Sequence, residues 1–551
     1  MADGGPIMPL GEVQPGMSCV GETVVQGTTI SQFDVQVIDT VQSSSGPRIL
    51  VSVSGPAVDT TGVAEGMSGS PVYCQDSTGA MANIGAISAG VGEYGNKVAL
   101  VTPIEQMLGE PVLLPSSAPR LTVPSRPLLG PLTVGGLSPS LTTVLERAGR
   151  RAGRAIISAP PSGGTASFPV QSLVPGASVA TEYSVGTITT GAIGTVTYTD
   201  GPVVYAFGHE LDGAGRRSLL LEDAYVYYVV SDPNPQDNPS SYKLAAPGHP
   251  LGTLTSDTPN AVIGVLGSLP PLIPVQVSAR DMDTGRTLEE DTDVADETDV
   301  GLPLGTSMLD TIAPLAIGQA AIDIYDGPPA SESGRLCLRV VIRESPQPLG
   351  FCKRYVGTGA AGDMGQQPPE LSNGVATDVA SALGVLDQVR FAQLHVARVQ
   401  ASISAERGLA EASILGAQAP RRVMAGATIR VRLRVQMYRG AVRTVSFRMR
   451  IPRGARRALR ATIQGPSFSP ITQGSSESSQ TLTIVLGNSM SGGAPGGSPP
   501  SSIASVRREI AAIGTYDGLM VAFNGHPATP VYTDRTLLIS GRATLTLSVR
   551  R

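Results

Sequence analysis

Positive charge is what this chain of 551 residues lacks first: 40 Lys and Arg stand against 45 Asp and Glu, a net charge of −5. Phosphate binding needs concentrated cations, so that balance argues against a nucleic-acid surface. Lysine is scarce, confined to positions 97, 243 and 353, and is given no functional weight. Nowhere do the 18 or more consecutive apolar residues of a membrane-spanning helix occur, and none is expected. The opening "MADGGPIMPL" has no signal-peptide pattern, so in an exported protein Met1 is expected to replace a removed leader. Only four histidines and four cysteines are present, which narrows the chemistry to a few positions.

Glycine and proline are abundant instead, 65 and 45 residues, among runs in which Val, Ile and Thr alternate with polar side chains. That mix predicts strands joined by tight turns. A chain this long should divide into several domains. Strand-like segments at 31–41, 48–55, 70–75, 83–90 and 97–102 are followed by "TPIEQML". There Thr102 and Glu105 have the spacing of a capping box, with Pro103 at the first helical position. A small barrel over 1–115 is the expectation. Residues 116–288 predict a second barrel behind a Pro- and Ser-rich linker. One helix from Ser138 carries Arg147, Arg150, Arg151 and Arg154, and a solvated face is expected of it.

The acidic run "EEDTDVADETD" at 289–299 lacks the sixth-position glycine of a calcium loop, so a linker is expected and calcium is not. A mixed strand and helix region to 415, with a helix near 378–392, and a β-sandwich-like domain over 416–551, with a hairpin of long alternating strands at 427–452, complete the expected architecture. "GNSMSGGAPGGSPPSS" at 487–502 is a low-complexity insert. The cysteines fall by position into Cys19 with Cys74 and Cys337 with Cys352, the second flanking a hairpin-like segment. An even count in a β-rich chain predicts an oxidising, extracytoplasmic compartment, the alternative being four buried thiols.

Chemistry concentrates in "GVAEGMSGSPVYC" at 62–74. A serine becomes nucleophilic only with a base for its proton and donors for the oxyanion. Gly66 and Gly69 would let this turn hold Ser68 at its tip, with the N–H groups of Gly66 and Ser68 facing one space; a plain Gly/Ser turn is the alternative. His209, closing the strand "VVYAFGH", is the candidate base. His249 and His526 lie in loop-like contexts before proline, and His395 in an apolar segment that reads as core.

These pieces, with "NKVALVTPIEQML" (96–108), "GTVTYTDGPVVYAFGH" (194–209) and "YKLAAPGHPLGTLTSDTPNAVIGVLG" (242–267), resemble the SpoIVB-type serine peptidases of bacteria. The resemblance covers roughly residues 10–280. It implies two chymotrypsin-like β-barrels with the active site between them, Ser68 as nucleophile and His209 as base. It also implies a narrow set of protein or peptide substrates, with the chain itself among them at 110–170 or 487–502, and no cofactor or metal. The Ser-bearing half here precedes the His-bearing half, and no PDZ module is seen. Gly55 stands where the family has its acid, leaving Asp59 and Asp257 as candidate third members, or a backbone carbonyl in their place. A non-catalytic binding or surface-scaffold protein is the competing expectation.

Overall fold

Alternating burial turns the runs of Val and Ile into strands, and the computed structural model describes residues 5–92, 97–112, 119–121, 124–128, 130–159, 168–231, 241–301, 308–357, 368–455, 457–466, 499–514, 517–524, 527–534 and 536–550. The chain is mainly β and divides into two units. One is built mainly from Met1–Val275 and Asp291–Ile312, the other from Gln276–Glu290, Ala313–Thr483 and Gly492–Arg551.

The first unit begins with β1 (Ser18–Val24), β2 (Ile30–Ser43), β3 (Gly46–Ser54), β4 (Pro71–Gln75), β5 (Met81–Val91) and β6 (Val98–Pro103). They pair in the order β4-β1-β2-β3-β6-β5, and β5 pairs back with β4, closing a ring of curled sheet. Val35, Val37, Ile49, Val51 and Val72 point into it at 2 % exposure or less. Full burial of such a side chain stabilises by about 2 kcal/mol. Cys19 lies opposite Cys74 on adjacent strands and the two are bridged.

The capping box does not form. Helix α1 is the single turn Ile104–Met107 with no side-chain cap. The Thr102 hydroxyl donates instead to the Gly208 carbonyl (2.7 Å), and Glu105 accepts the Leu10 N–H (2.6 Å). Both side chains found longer-range partners than the helix could offer.

Within 110–170, where a linker with one helix was expected, lie β7 (Ser125–Pro127), β8 (Leu132–Gly135), α2 (Pro139–Arg151) and β9 (Ile156–Ser158). Then come β10 (Ser178–Gly186), β11 (Thr189–Asp200), β12 (Val203–Ala206), β13 (Gly215–Ser231), β14 (Ser241–Thr258) and β15 (Ala261–Leu266). Their order, β10-β13-β14-β15-β12-β11, closes through β10–β11 pairing into a second ring. β8 adds to β11 and β9 to β8.

The acidic linker is a correction. Thr287–Ala295 is a strand, and Thr292, Asp293 and Val294 pair with β10. Thr292 and Val294 turn inward, Glu289, Asp291 and Asp293 alternate onto the other face, and Glu290 lies half-buried on the inward one.

In the other unit the Cys337–Cys352 hairpin forms as expected from Glu332–Ile342 and Leu349–Gly357, with Val396–Arg407 on its outer side. The helix expected at 378–392 runs over Glu370–Asp387. Strands Thr428–Met437 and Val442–Arg450 make the expected long hairpin, arginines outward and Ile, Val and Leu inward. Two sheets contribute to one apolar cluster that includes Val431, Leu433, Ala461, Val521 and Leu547. The boundary expected at 415/416 falls inside the strand Glu411–Gln418, which pairs with Thr428–Met437. The insert at 487–502 lies outside the described residues except for its last four.

Candidate active site at the Ser68 turn

Gly66 and Gly69 both have positive φ, +87° and +93°. A Cβ on Gly69 would sit 1.9 Å from the Thr195 carbonyl oxygen and 2.5 Å from the Phe207 nitrogen, so only glycine fits. Between them the turn is held by backbone bonds from Met67 to Ala64, Gly69 to Ile87 and Ser70 to Met67, while Thr195 N–H donates to the Ser68 carbonyl at 2.9 Å. The N–H groups of Glu65, Met67, Gly69 and Ser70 are thus engaged. Among the described residues no acceptor meets those of Gly66 and Ser68. These are the two amides that the sequence pattern named as oxyanion donors.

The two serines differ in the same way. Ser70 Oγ donates to the Met67 carbonyl at 2.6 Å and is structural. Ser68 Oγ is fully buried and, among the described residues, has no hydrogen-bond partner. An unsatisfied buried hydroxyl costs about 1–3 kcal/mol, which ordinary turns do not retain.

His209 closes "YAFGH" after β12. Phe207 adopts φ +68°, a left-handed conformation that a bulky residue rarely holds, and Gly208 follows at +69°. Two conditions hold it there. Gly194 leaves room for the Phe207 ring, since a Cβ at 194 would lie 2.0 Å from it. Asp257 receives the N–H groups of Leu211, Asp212 and Gly213 at 2.6, 3.0 and 2.8 Å, anchoring the turn just beyond His209.

His209 Nδ1 lies 2.6 Å from the Glu210 carbonyl oxygen. A carbonyl only accepts, so Nδ1 carries the hydrogen and the neutral ring presents a lone pair at Nε2. That Nε2 is buried without a hydrogen-bond partner among the described residues. Burial lowers the His209 pKa, which keeps the ring neutral.

The two groups share one neighbourhood. Gly69 abuts the Phe207 nitrogen, and a Cβ on Gly208 would touch Ala86 and Ser88 of β5, whose Ile87 carbonyl holds Gly69. No Ser68–His209 hydrogen bond is formed, and in resting hydrolases such pairs are often loose.

The candidate acids do not reach His209. Asp59 pairs with Lys97 at 3.2 Å, its side chain 59 % exposed. Asp257 spends both carboxylate oxygens on the 211–214 backbone. A backbone carbonyl, the third alternative, stands beside Nδ1. The other histidines also differ from expectation. His249 lies on β14, its Nδ1 3.0 Å from buried Asp223. His395 is no core residue but pairs through Nδ1 with Glu344 at 2.5 Å. His526 lies outside the described residues. Of the four arginines, Arg150 faces solvent and reaches Glu146 at 4.0 Å, whereas Arg154 turns inward beyond the helix and donates to the Leu211 carbonyl.

Sequence reasoning passed over Lys243. It is 2 % exposed, and its stem packs against Gly66, whose Cβ would lie 3.2–3.4 Å from the Lys243 chain. Nζ donates to Ser178 Oγ (3.2 Å) and Thr195 Oγ1 (3.0 Å). Thr195 Oγ1 in turn donates to the Gly66 carbonyl at 3.1 Å. One threonine thereby grips both ends of the Gly66–Ser68 turn, and Lys243 orients it. Burial pushes the Lys243 amine down to about 7. The signal available was its rarity as one of three lysines.

No protein-family model matches this chain, nor does any curated protein or any solved structure. Among the described residues no group of His, Cys, Asp or Glu has the arrangement of a metal site, and no helix is long and apolar enough to cross a membrane.

Proposed function

We propose that the chain is a serine endopeptidase of the SpoIVB type, its two rings being the two barrels of a chymotrypsin-like fold. The observation that carries this is a set of free groups. Ser68 Oγ, the N–H pair of Gly66 and Ser68, and His209 Nε2 are all unengaged among the described residues, in one neighbourhood where Ser70, Gly69 and Thr195 are all paired.

In this reading His209 Nε2 takes the Ser68 proton as Oγ attacks a peptide carbonyl. The negative charge that develops on the carbonyl oxygen meets the two amides, each of which is worth about 3–4 kcal/mol to the transition state. His209 then protonates the leaving amine, and water resolves the acyl-enzyme through the same base. The Glu210 carbonyl holds the tautomer without the charge of an aspartate, which predicts a slow enzyme; in a trypsin-like triad, loss of the proper orienting group costs about 10⁴ in rate. A narrow set of protein substrates, self-cleavage within 110–170 or 487–502 and an extracytoplasmic site of action belong to the same proposal. The two disulfides support the last of these.

The missing Ser68–His209 bond favours a second reading, a peptide-binding scaffold without turnover. Labelling with a fluorophosphonate probe separates the two. Wild type is expected to label, Ser68→Ala not at all, and His209→Ala at a rate lower by about 10³ or more. A folded wild type that never labels leaves the scaffold.

A further inference from the structure

Ser68 is fully buried and His209 is 5 % exposed, so a peptide cannot reach them as they stand. A cleft of about 490 Å³ in the same unit, lined by residues such as Met107, Tyr205 and Ile263, includes neither of them. What covers the pair is the chain itself. β7 pairs antiparallel with the end of β5, Ser125 opposite Val91, Arg126 opposite Gly90 and Pro127 opposite Ala89. The Leu128 N–H continues the ladder to the Ser88 carbonyl at 2.9 Å.

That ladder runs directly into the reactive neighbourhood. β5 residues 86–88 touch the chain next to each of the two reactive groups. Ile87 carbonyl receives Gly69 N–H, and Ala86 and Ser88 abut Gly208. Leu128 is 6 % exposed among the apolar core of the first barrel, and its backbone carbonyl faces the His209 ring, where it favours the protonated imidazole. Gly130 then lies against the catalytic turn. A Cβ there would be 3.8 Å from the Gly66 nitrogen, one of the two free amides, and 2.8 Å from the Ile193 carbonyl oxygen. Residues 125–128 thus add to a sheet edge beside the base, and Gly130 stands at the oxyanion donor. That is the course of a peptide bound by β-augmentation.

We propose that residues 125–128, with Gly130, occupy the peptide groove in cis, as a built-in competitor for substrate. The segment also reports what the groove accepts: extended peptides with Pro-Leu preceding the reactive centre and a glycine where the wall narrows at Ile193. The occupancy rests on the backbone pairing; only the word substrate rests on the peptidase reading. A tethered strand competes at the high effective concentration of an intramolecular ligand, so free peptides enter only when it leaves.

The test replaces residues 124–131 by a Gly-Ser stretch of equal length. Binding of a fluorescent peptide Ser-Arg-Pro-Leu-Leu-Gly-Pro is measured by anisotropy on the Ser68→Ala background, where nothing can turn over. The replaced protein is expected to bind it at least tenfold tighter than the full chain. With Ser68 present, fluorophosphonate labelling should accelerate at least tenfold on replacement. Equal binding by both proteins, or none by a folded replaced protein, overturns the proposal. Peptide binding by the replaced protein alone, with no labelling anywhere, leaves the cis strand standing and removes the peptidase. Should the replacement fail to fold, Gly130→Ala gives the same answer, because its Cβ must lift the segment from Ile193. Labelling and exchange of the Leu128 amide should both rise several-fold, and an unchanged rate of each counts against the cis strand. In wild type, a Leu128 amide exchanging at the rate of an open chain overturns it directly.

Discussion

The two rings of the first unit solve the same closure problem with opposite interiors. The first, around β1–β6, is filled with Val, Ile, Met and Ala and stapled by Cys19–Cys74. The second, around β10–β15, buries charge. Glu182 is 1 % exposed, Glu222 2 %, Asp223 0 % and Lys243 2 %. Its small apolar cluster includes Ala180, Ile193, Ala224, Val226 and Ala245. Glu182 and Glu222 sit on paired strands with carboxylate oxygens that find no hydrogen-bond partner among the described residues. Burial raises both, Glu222 to about 8, and each carboxylate resists the ionisation of its neighbours. Ser68 thus stands on the ring with the more apolar interior, and His209 with the turn's support from Thr195 and Lys243 on the ring that buries several carboxylates and an amine.

The largest expected break in this comparison removes the staple. Cys19→Ala with Cys74→Ala should cost about 4 kcal/mol, since the bridge closes 55 residues, against about 3 kcal/mol for Cys337→Ala with Cys352→Ala, which closes 15. Guanidinium melts of each double variant measure both. Equal losses, or a larger one for the shorter loop, would refute the view that the first ring depends on its staple.

Next comes the buried charge. Glu222 holds a proton in the folded protein up to about pH 8 but releases it near 4.5 when unfolded, so its contribution to stability falls as pH rises from 4.5 to 8. Lys243 has the opposite sign. Its unfolded amine keeps its proton to about 10.5 while the folded one gives it up near 7, so stability rises across that interval. Glu222→Gln should therefore stabilise the protein at pH 8 more than at pH 5. Lys243→Met should abolish the rise between pH 7 and 10. Denaturant melts at pH 5, 7, 8 and 10 give both slopes, and reversed slopes would sink the assignment.

A smaller effect separates position from charge. Lys243→Met keeps the stem against Gly66 but leaves Thr195 unoriented, so fluorophosphonate labelling should slow about tenfold with the melt at pH 7 no lower. The smallest effect is in the pH profile. Because burial lowers the His209 pKa, the acid limb of labelling should lie below the 6.5 of an ordinary imidazole. A limb at or above 6.5 would mean the base is solvated.

Local sequence was informative where physics is local. Alternation of Val and Ile with polar residues located β2 to β6 and the long arginine-studded hairpin near the C-terminus, because a half-buried strand must alternate, but it missed β1, β7 to β9 and β14. It failed where two partners compete for one residue. Thr102 and Glu105 have capping-box spacing, yet their bonds go to Gly208 and Leu10, contacts that sequence spacing cannot weigh. The acidic run at 289–299 looked solvated because charge was counted without its neighbour β10.

The sequence by itself determined the turn: Gly66 and Gly69 permit its positive φ, and "GMSGSP" marked Ser68. Only the tertiary structure decided what that turn can do. Pairing elsewhere leaves the Gly66 and Ser68 amides without an acceptor among the described residues, and a carbonyl, not Asp59 or Asp257, sits behind His209. Thr195 and Lys243, more than a hundred residues away in the chain, clamp the loop, and Gly130 lies beside it. Those outcomes depend on which donors and acceptors are already spent, and that is a property of the packed molecule.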